Sequence, residues 1–145
     1  MKILIDADGC PVVDITIRVA KKFSLETIIM CDTAHVFNRE GAETIILSKG
    51  ADSVDFALVN KVNKGDVIVT QDYGLAAMVL AKGGFPINQS GKVYTNENID
   101  DLLLSRHISK QIRNAGGRVK GPKKRKREDD IAFEESLIKL LKLYE

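Results

Sequence analysis

The chain has 145 residues, of which 44% are hydrophobic, and this suits one globular domain with a single core. Its longest uninterrupted apolar stretch, residues 75–81, is far shorter than the ~20 residues of a membrane-spanning helix. The apolar run after Lys2 ends at Asp6, which does not suit a secretory signal. Two cysteines are too few for a disulfide framework, so we expect reduced thiols and a cytoplasmic protein without a membrane partner.

Charge is distributed unevenly along the chain. The formal net charge is +2, but residues 106–127 contain 10 of the 22 Lys and Arg residues and no acid. A mildly acidic body with one concentrated basic segment is typical of a protein that binds a polyanion such as nucleic acid. The alternative is a solvated, disordered run of charge. The residues predicted to bind nucleic acid are Arg106, Arg113, Arg118, Lys120, Lys123, Lys124, Arg125, Lys126 and Arg127.

Short apolar runs alternate along the chain with segments of helical periodicity. Strands are predicted at residues 2–6, 25–31, 43–48, 66–70 and 85–87, because these runs are apolar and too short for helices. Helices are predicted over residues 12–23, 52–62, 75–82, 99–114 (after Asn98 as N-cap) and from about 131 to 144. Residues 115–127, with three glycines and Pro122, are predicted to be a loop.

This alternation indicates βαβ units and a mostly parallel sheet. We therefore predict one α/β domain over residues 1–145, with a small central sheet flanked by helices and a C-terminal helix. No internal repeat is present, and the sequence gives no support for a homo-oligomer.

Acidic residues follow two of the predicted strands. Asp6 and Asp8 lie at the end of the first strand, and Asp72 follows the fourth. Ligands of an open parallel sheet bind beyond the carboxyl ends of its strands. Asp52 and Asp55 open the intervening helix, one turn apart and on the same face. Because clustered carboxylates repel one another, a bound Mg²⁺ or Mn²⁺ would relieve their repulsion. These five acids are the predicted metal ligands.

Each acid also has a structural interpretation. Asp52 and Asp55 suit an N-cap and a first-turn acid of a helix, and Asp8 before Gly9 suits a turn. Asp6 and Asp72 favour function more strongly, because each ends an apolar run where an uncompensated charge is costly. Cys10 lies beside the acids, but its pattern favours a small residue packed at a helix start.

Two sequence blocks resemble a known family. Residues 5–12 (IDADGCPV) resemble the DADACPV opening of the YaiI/YqxD family of uncharacterised bacterial proteins, and residues 65–76 (GDVIVTQDYGLA) are similar to its second block. Tyr94, Arg106, Gly121-Pro122, Asp130 and Phe133 match its C-terminal pattern. The sequence departs from that pattern at Gly9, where alanine is usual, and at residues 88–91 (NQSG), where an Asn-Pro-Arg-Gly run is expected.

The YaiI/YqxD family is similar in turn to PIN-domain nucleases, which depend on Mg²⁺ or Mn²⁺ and have a small parallel sheet. The resemblance implies a PIN-like domain in which Asp6 and Asp72 are the strand-end acids. It implies that Asp52 or Asp55 is the helix acid and that Thr70 is a supporting hydroxyl residue. Asp8 matches only the narrower family's motif.

The leading functional hypothesis is a metal-dependent phosphodiesterase that acts on RNA. Asp6, Asp8, Asp72 and Asp55 are its predicted catalytic residues, with one or two metal ions activating a water. One alternative is a haloacid-dehalogenase-like phosphatase, because residues 3–9 (ILIDADG) also resemble that motif, although no later acid pair ends a strand. Another is a non-catalytic module that binds metal or nucleic acid.

Overall fold

Five short apolar segments form strands, and together they make one parallel sheet. The strands are β1 (Lys2–Asp6), β2 (Glu26–Asp32), β3 (Glu43–Leu47), β4 (Val67–Val69) and β5 (Phe85–Ile87). They lie in the order β3-β2-β1-β4-β5, and all pairings between them are parallel. The computed structural model describes residues 1–33, 38–47, 53–119, 121 and 123–144, with residues 53–55 described by their backbone alone. The prediction of an α/β fold with a parallel central sheet is confirmed.

Five helices in the described part of the chain connect and flank these strands. They are α1 (Val13–Lys22), α2 (Ser53–Lys61), α3 (Tyr73–Ala81), α4 (Asn96–Asn114) and α5 (Arg127–Leu143). Within the described part of the chain, none of the helices has the length and apolar character needed to cross a membrane. The predicted C-terminal helix is present.

The sheet is buried on both faces, which explains why its strands are continuous apolar runs. Strand β1 illustrates this, since Ile3 and Ile5 pack in the cluster that contains α1 and α5 residues. Leu4, between them, packs in the cluster that contains α2 and α3 residues. Successive side chains of a strand point to opposite faces, so one strand contributes to both cores. Helix α4 lies outside these layers and packs on α3 through Ile99.

The strand order places a change of direction at the centre of the sheet. From β1 the chain proceeds through β2 to β3 on one side, and it then returns to form β4 and β5 on the other side. The carboxyl ends of β1 and β4 therefore lie next to each other, with Ile5 in register with Val69. In open α/β sheets this switch point is where a crevice for ligands forms.

Three helices begin earlier than the sequence predicts: α3 begins at Tyr73 rather than at residue 75, and α4 and α5 also begin early. The N-cap of α4 is Thr95, so the prediction of Asn98 was wrong. Thr95 Oγ1 accepts a hydrogen bond from the Asn98 N–H (3.2 Å), and Asn98 Oδ1 accepts one from the Thr95 N–H (2.9 Å). This reciprocal capping box satisfies two backbone donors. Helix α5 begins earlier than predicted, at Arg127, because acids in its first turn favour the helix N-terminus.

A buried ion pair closes the amino-terminal edge of the sheet, opposite the switch point. Asp66 is only 3% exposed. It accepts hydrogen bonds from the Lys2 ammonium (2.6 Å), the Lys2 backbone N–H (3.1 Å) and the Asn63 N–H (2.8 Å). Three donors compensate the buried carboxylate, and they join the first strand to the turn before β4.

We expect Asp66→Asn to lower the free energy of unfolding by about 2–3 kcal/mol, because it removes a charged acceptor from buried donors. Asp14→Asn is the matched control. Asp14 also forms an ion pair, with Arg39 at 2.7 Å, but its side chain is 73% exposed, so its loss should cost no more than ~0.5 kcal/mol. Urea denaturation measures both variants. Equal effects in the two variants would show that the Asp66 contacts contribute little.

Candidate functional site

The carboxyl edge of the sheet at the switch point carries three carboxylates, which we call the acidic edge: Asp6, Asp8 and Asp72. Asp6 is the last residue of β1, and Asp8 lies in the turn that follows. Asp72 lies just after β4, the neighbouring strand. Each of the three is partly exposed to solvent. The strand ends predicted from the sequence are therefore adjacent.

Thr70 connects the two strand-end acids. Its hydroxyl donates a hydrogen bond to Asp6 Oδ2 (2.9 Å) and accepts one from the Asp72 backbone N–H (3.0 Å). Thr70 is only 2% exposed, and its backbone carbonyl accepts a hydrogen bond from the buried Tyr94 hydroxyl (3.2 Å). Burial of this phenol raises the pKa of Tyr94, so it remains a neutral donor. The position of each acid therefore depends on one buried hydroxyl.

Asp72 has a structural role as well as a place in the acidic edge. It is the N-cap of α3, where its Oδ1 accepts a hydrogen bond from the Leu75 N–H (3.1 Å). Arg106 of α4 reaches the same oxygen at 3.5 Å. Among the described residues, Asp72 Oδ2 makes no hydrogen bond or ion pair. A capping aspartate of this kind retains one oxygen for a ligand.

The structure tests the predicted set of metal ligands only in part. Among the described residues, no three His, Cys, Asp or Glu side chains are grouped so that they could hold a metal ion. Asp52 lies outside the described residues, and Asp55 is described only by its backbone, in α2. The role of these two acids stays a prediction. The chemistry of Asp6 and Asp72 still suits Mg²⁺, which is bound through one or two carboxylates together with substrate phosphates.

Two glutamine side chains, those of Gln71 and Gln89, form a chain of hydrogen bonds beside the acidic edge, and we call this pair the amide bridge. Gln89 Nε2 donates to Gln71 Oε1 (3.0 Å), and Gln71 Nε2 donates to the Gly9 carbonyl (3.2 Å). Gly9 has a φ of +68°, a left-handed conformation that glycine adopts without strain. The bridge thus joins the segments that follow β5, β4 and β1.

A cavity of about 10 Å³ lies under the amide bridge, which is room for about one water molecule. Its polar lining comes from the amide bridge together with Asp6, Cys10 and Thr70. Burial is the main reason that the pKa of the Cys10 thiol is raised to about 11; the negative charge of Asp6 also raises it, while a backbone hydrogen bond with Val12 and the charge of Arg125 lower it. Cys10 is therefore a neutral thiol at physiological pH, which agrees with the interpretation of a packed residue rather than a nucleophile.

One residue of the basic segment is fixed in place beside this site. Arg125 Nε donates to Asp130 Oδ1 (2.8 Å), and its Nη2 donates to the Gln89 carbonyl (2.8 Å). The Arg125 side chain is 25% exposed, and its positive charge acts on the nearby Cys10 thiol. Arg125 therefore anchors the basic segment to the amide bridge. We call the contact between Arg125 and Asp130 the arginine anchor.

The other predicted basic residues have different surroundings. The exposed ones are Arg106, Arg113, Arg118, Lys123, Lys124, Lys126 and Arg127, and Lys120 lies outside the described residues. Arg127 belongs to the first turn of α5 rather than to the loop. On α4, Arg106, Lys110 and Arg113 are spaced at i, i+4 and i+7, so they lie on one helix face. Since Arg106 reaches Asp72, this basic face begins at the acidic edge.

The sequence analysis missed several residues that shape the site. Gln71 and Gln89 follow strand ends at the carboxyl edge of the sheet, and this position in the sequence could have identified them as site residues. Tyr94 and Asp130 were noted only as matches to the C-terminal pattern of the YaiI/YqxD family, and the sequence did not indicate which residues they would contact: Tyr94 bonds to Thr70, 24 residues away, and Asp130 bonds to Arg125, five residues away.

The fold and the site together define a class of protein. It is an α/β protein with a polar crevice at the switch point of a parallel sheet. The chain matches the model of the family described as "Uncharacterized BCR, YaiI/YqxD family" over residues 4–143, and it belongs to that family. A UPF0178 protein of Exiguobacterium sibiricum is 60% identical over 141 residues, which are 97% of this chain and 96% of the relative. A UPF0178 protein of Clostridium acetobutylicum is 50% identical over 143 residues, 97% of each chain. No solved structure matches this chain.

We expect Thr70→Val to lower the free energy of unfolding by about 1–2 kcal/mol, because valine has the same shape but leaves the partly buried Asp72 N–H without its acceptor and Asp6 without its donor. Thr70→Ser keeps the hydroxyl and serves as the control. Thermal and urea denaturation measure both variants. If valine is tolerated as well as serine, the Thr70 hydroxyl does not hold the two acids in place.

Proposed function

We propose that this protein is a divalent-metal-dependent nuclease that hydrolyses phosphodiester bonds in RNA. The observation that carries the proposal is the pairing of Asp6 and Asp72 through Thr70 at the switch point of the sheet. Mg²⁺ or Mn²⁺ would be held by these carboxylates, with Asp8 nearby, because hard cations prefer carboxylate oxygens. When bound, such a metal lowers the pKa of a water molecule and stabilises charge on a scissile phosphate. The similarity of the family to PIN-domain nucleases supports the same proposal.

Cations on two sides of the acidic edge favour a polyanionic substrate. Arg106 begins the basic face of α4 at Asp72, and Lys110 and Arg113 continue it along the helix. On the other side, Arg125 lies at the amide bridge with exposed Lys123 and Lys124 close by in sequence. A strand that crosses the acidic edge would meet positive charge on both sides. Such contacts bind the phosphate backbone and carry no sequence information.

A second candidate function is a binding module without catalysis. It is favoured by the contacts of Asp72, which acts as a helix N-cap and forms an ion pair with Arg106. Both are ordinary structural uses of an aspartate. Under this alternative the protein binds RNA through the same cations but does not cleave it.

Substitution of the two acids by asparagine separates these functions. Asn keeps an oxygen that can accept the Thr70 and Leu75 hydrogen bonds, and it caps helices as well as Asp does. Asp6→Asn and Asp72→Asn should therefore fold normally but lower Mn²⁺-dependent cleavage of an RNA pool by about 100-fold or more. Asp14→Asn, an exposed carboxylate on α1, should leave cleavage unchanged. Wild-type protein that binds RNA and shows no metal-dependent cleavage would establish the binding module instead.

The arginine anchor gives a prediction in which weakening the anchor and raising the net charge have opposite effects on affinity for RNA. Asp130→Asn makes the protein more positive, so charge alone predicts tighter RNA binding. Asn keeps an oxygen for Arg125 but loses the ion pair, so it weakens the anchor and loosens the loop around Arg125, and we expect affinity for a single-stranded RNA to fall about fivefold, equivalent to ~1 kcal/mol.

Glu128→Gln is the matched control, since it makes the same charge change at an exposed position in the same helical turn. Fluorescence anisotropy at fixed salt measures both variants. The control should bind RNA as tightly as wild type or slightly more tightly. If Asp130→Asn binds as the control does, the anchor does not position the basic segment for RNA.

A further inference from the structure

A cavity of about 540 Å³ lies beside β5, the strand at one edge of the sheet. Its walls are the end of α3, the start of β5, the segment that leads into α4 and the last turns of α5. We call it the β5 cavity. None of its described lining residues belongs to the acidic edge or the amide bridge. Its volume is within the range of about 300–1,000 Å³ that is typical of sites for small organic molecules.

The β5 cavity forms where the two helical layers of the sheet separate. Helix α5 packs with α1 on one face of the sheet, whereas α3 packs on the other face and carries α4 on its outer side. Beyond β5, a single antiparallel bridge between Ile87 and Val93 takes the place of a further strand in the described part of the chain. The space between α5 and the start of α4 is therefore left open.

Hydrogen bonds hold the walls of the β5 cavity in place. The Tyr94 N–H donates to the Pro86 carbonyl (2.9 Å), which fixes the segment before α4 against β5. The Ser136 hydroxyl donates to the Gly91 carbonyl, which fixes α5 against the turn after β5. The capping box that begins at Thr95 fixes the start of α4. A site with fixed walls loses little conformational freedom when a ligand binds.

Most of the lining of the β5 cavity is apolar, and part of it is aromatic. Phe85 and two of the three tyrosines of the chain, Tyr94 and Tyr144, contribute to the lining. The rings of Phe85 and Tyr144 stack, with their centroids 4.1 Å apart and an interplanar angle of 25°. The aliphatic side chains of the lining are those of Leu80, Val93, Leu140 and Leu143. Because aromatic side chains attract other rings, this lining favours a ligand with a flat ring.

Two charged side chains line the β5 cavity, and their charges are opposite. Lys139 lies on α5, and Glu97 lies in the first turn of α4. Both are exposed, and among the described residues neither forms an ion pair. The side-chain charges of the lining therefore cancel. A charged ligand would lose hydration without a net opposite charge to replace it, whereas an uncharged ligand can accept a hydrogen bond from Lys139 or donate one to Glu97.

We propose that the β5 cavity binds an uncharged organic molecule that contains an aromatic ring. The volume restricts the ligand to a small molecule, the aromatic lining favours a ring, and the cancelling charges favour a neutral compound. This site is separate from the acidic edge, so it goes beyond the proposed nuclease activity. A ligand that binds only the folded protein also stabilises it against unfolding.

Three probes with the same ring and different charges test the proposal: naphthylmethanol, naphthoate and naphthylmethylamine. Titration of the full chain, followed through its amide NMR signals, should show saturable binding of naphthylmethanol, about fivefold tighter than that of either charged probe. The largest shifts should centre on Phe85, Thr95 and Leu143. The proposal is overturned by an absence of saturable binding, by a charged probe that binds as tightly or more tightly, or by shifts centred on the exposed Leu104 and Ile108 of α4.

Two variants of Tyr144 test whether its ring forms part of the site. Tyr144→Ser removes the ring and Tyr144→Phe keeps it, and both should fold, because Tyr144 is 49% exposed and lies next to the last residue. The serine variant should bind naphthylmethanol about fivefold more weakly than wild type, and the phenylalanine variant should bind it equally well. A serine variant that binds as wild type does would contradict the proposed site. These measurements use neither RNA nor metal, so they stand whether or not the protein is a nuclease.

Discussion

The hydrogen bonds of the Thr70 hydroxyl are the interaction on which the rest of the site depends. One buried oxygen donates to the carboxylate that ends β1 and accepts from the backbone N–H of the residue that begins the next turn. This hydroxyl holds the Asp6 carboxylate by its side chain and Asp72 by its backbone, so it fixes the two acids relative to each other. A buried side-chain hydroxyl supplies one donor and two acceptor positions without adding charge. The Tyr94 hydroxyl donates a hydrogen bond to the Thr70 carbonyl, which connects Thr70 to the segment just before α4.

Asp72 shows how a fold element and a candidate site use the same residue. Its Oδ1 caps α3 and faces Arg106, so a capping residue is favoured at this position even without a ligand. The strand-end position alone therefore does not prove function. Two further features favour a ligand site: the hydrogen bond from Thr70 to Asp6, and the cations on both sides of the acidic edge. A helix cap requires neither of them. Asparagine substitutions are informative for this reason, since they remove charge while they keep the capping oxygen.

The basic segment, residues 106–127, is not one charged loop, because it includes part of α4, the loop after it and the first residue of α5. Arg125 is bound by Asp130 and by the Gln89 carbonyl, while Arg127 belongs to the first turn of α5. Gly91, with a φ of +90°, allows the turn after β5 to approach α5 so closely that a Cβ there would lie 2.8 Å from the Ala132 carbonyl oxygen. Through this turn, α5 holds Gln89 and the basic segment next to the same crevice. Charge composition alone predicted the cations but not which of them is held in place.

The sequence by itself determined the order and type of the elements, because apolar runs buried on both faces and helical periodicity are local signals. It also placed Asp6 and Asp72 at strand ends on the same edge of the sheet, since the carboxyl ends of parallel strands meet at one edge, but only the structure showed that these two strands are neighbours. Helix starts were less certain, and the Thr95 cap was missed because Asn98 is also a good capping residue. The amide bridge and the bond from Arg125 to the Gln89 carbonyl were decided only by the tertiary structure. Each depends on contacts or exposure between segments far apart in the chain, and no local pattern encodes such distances.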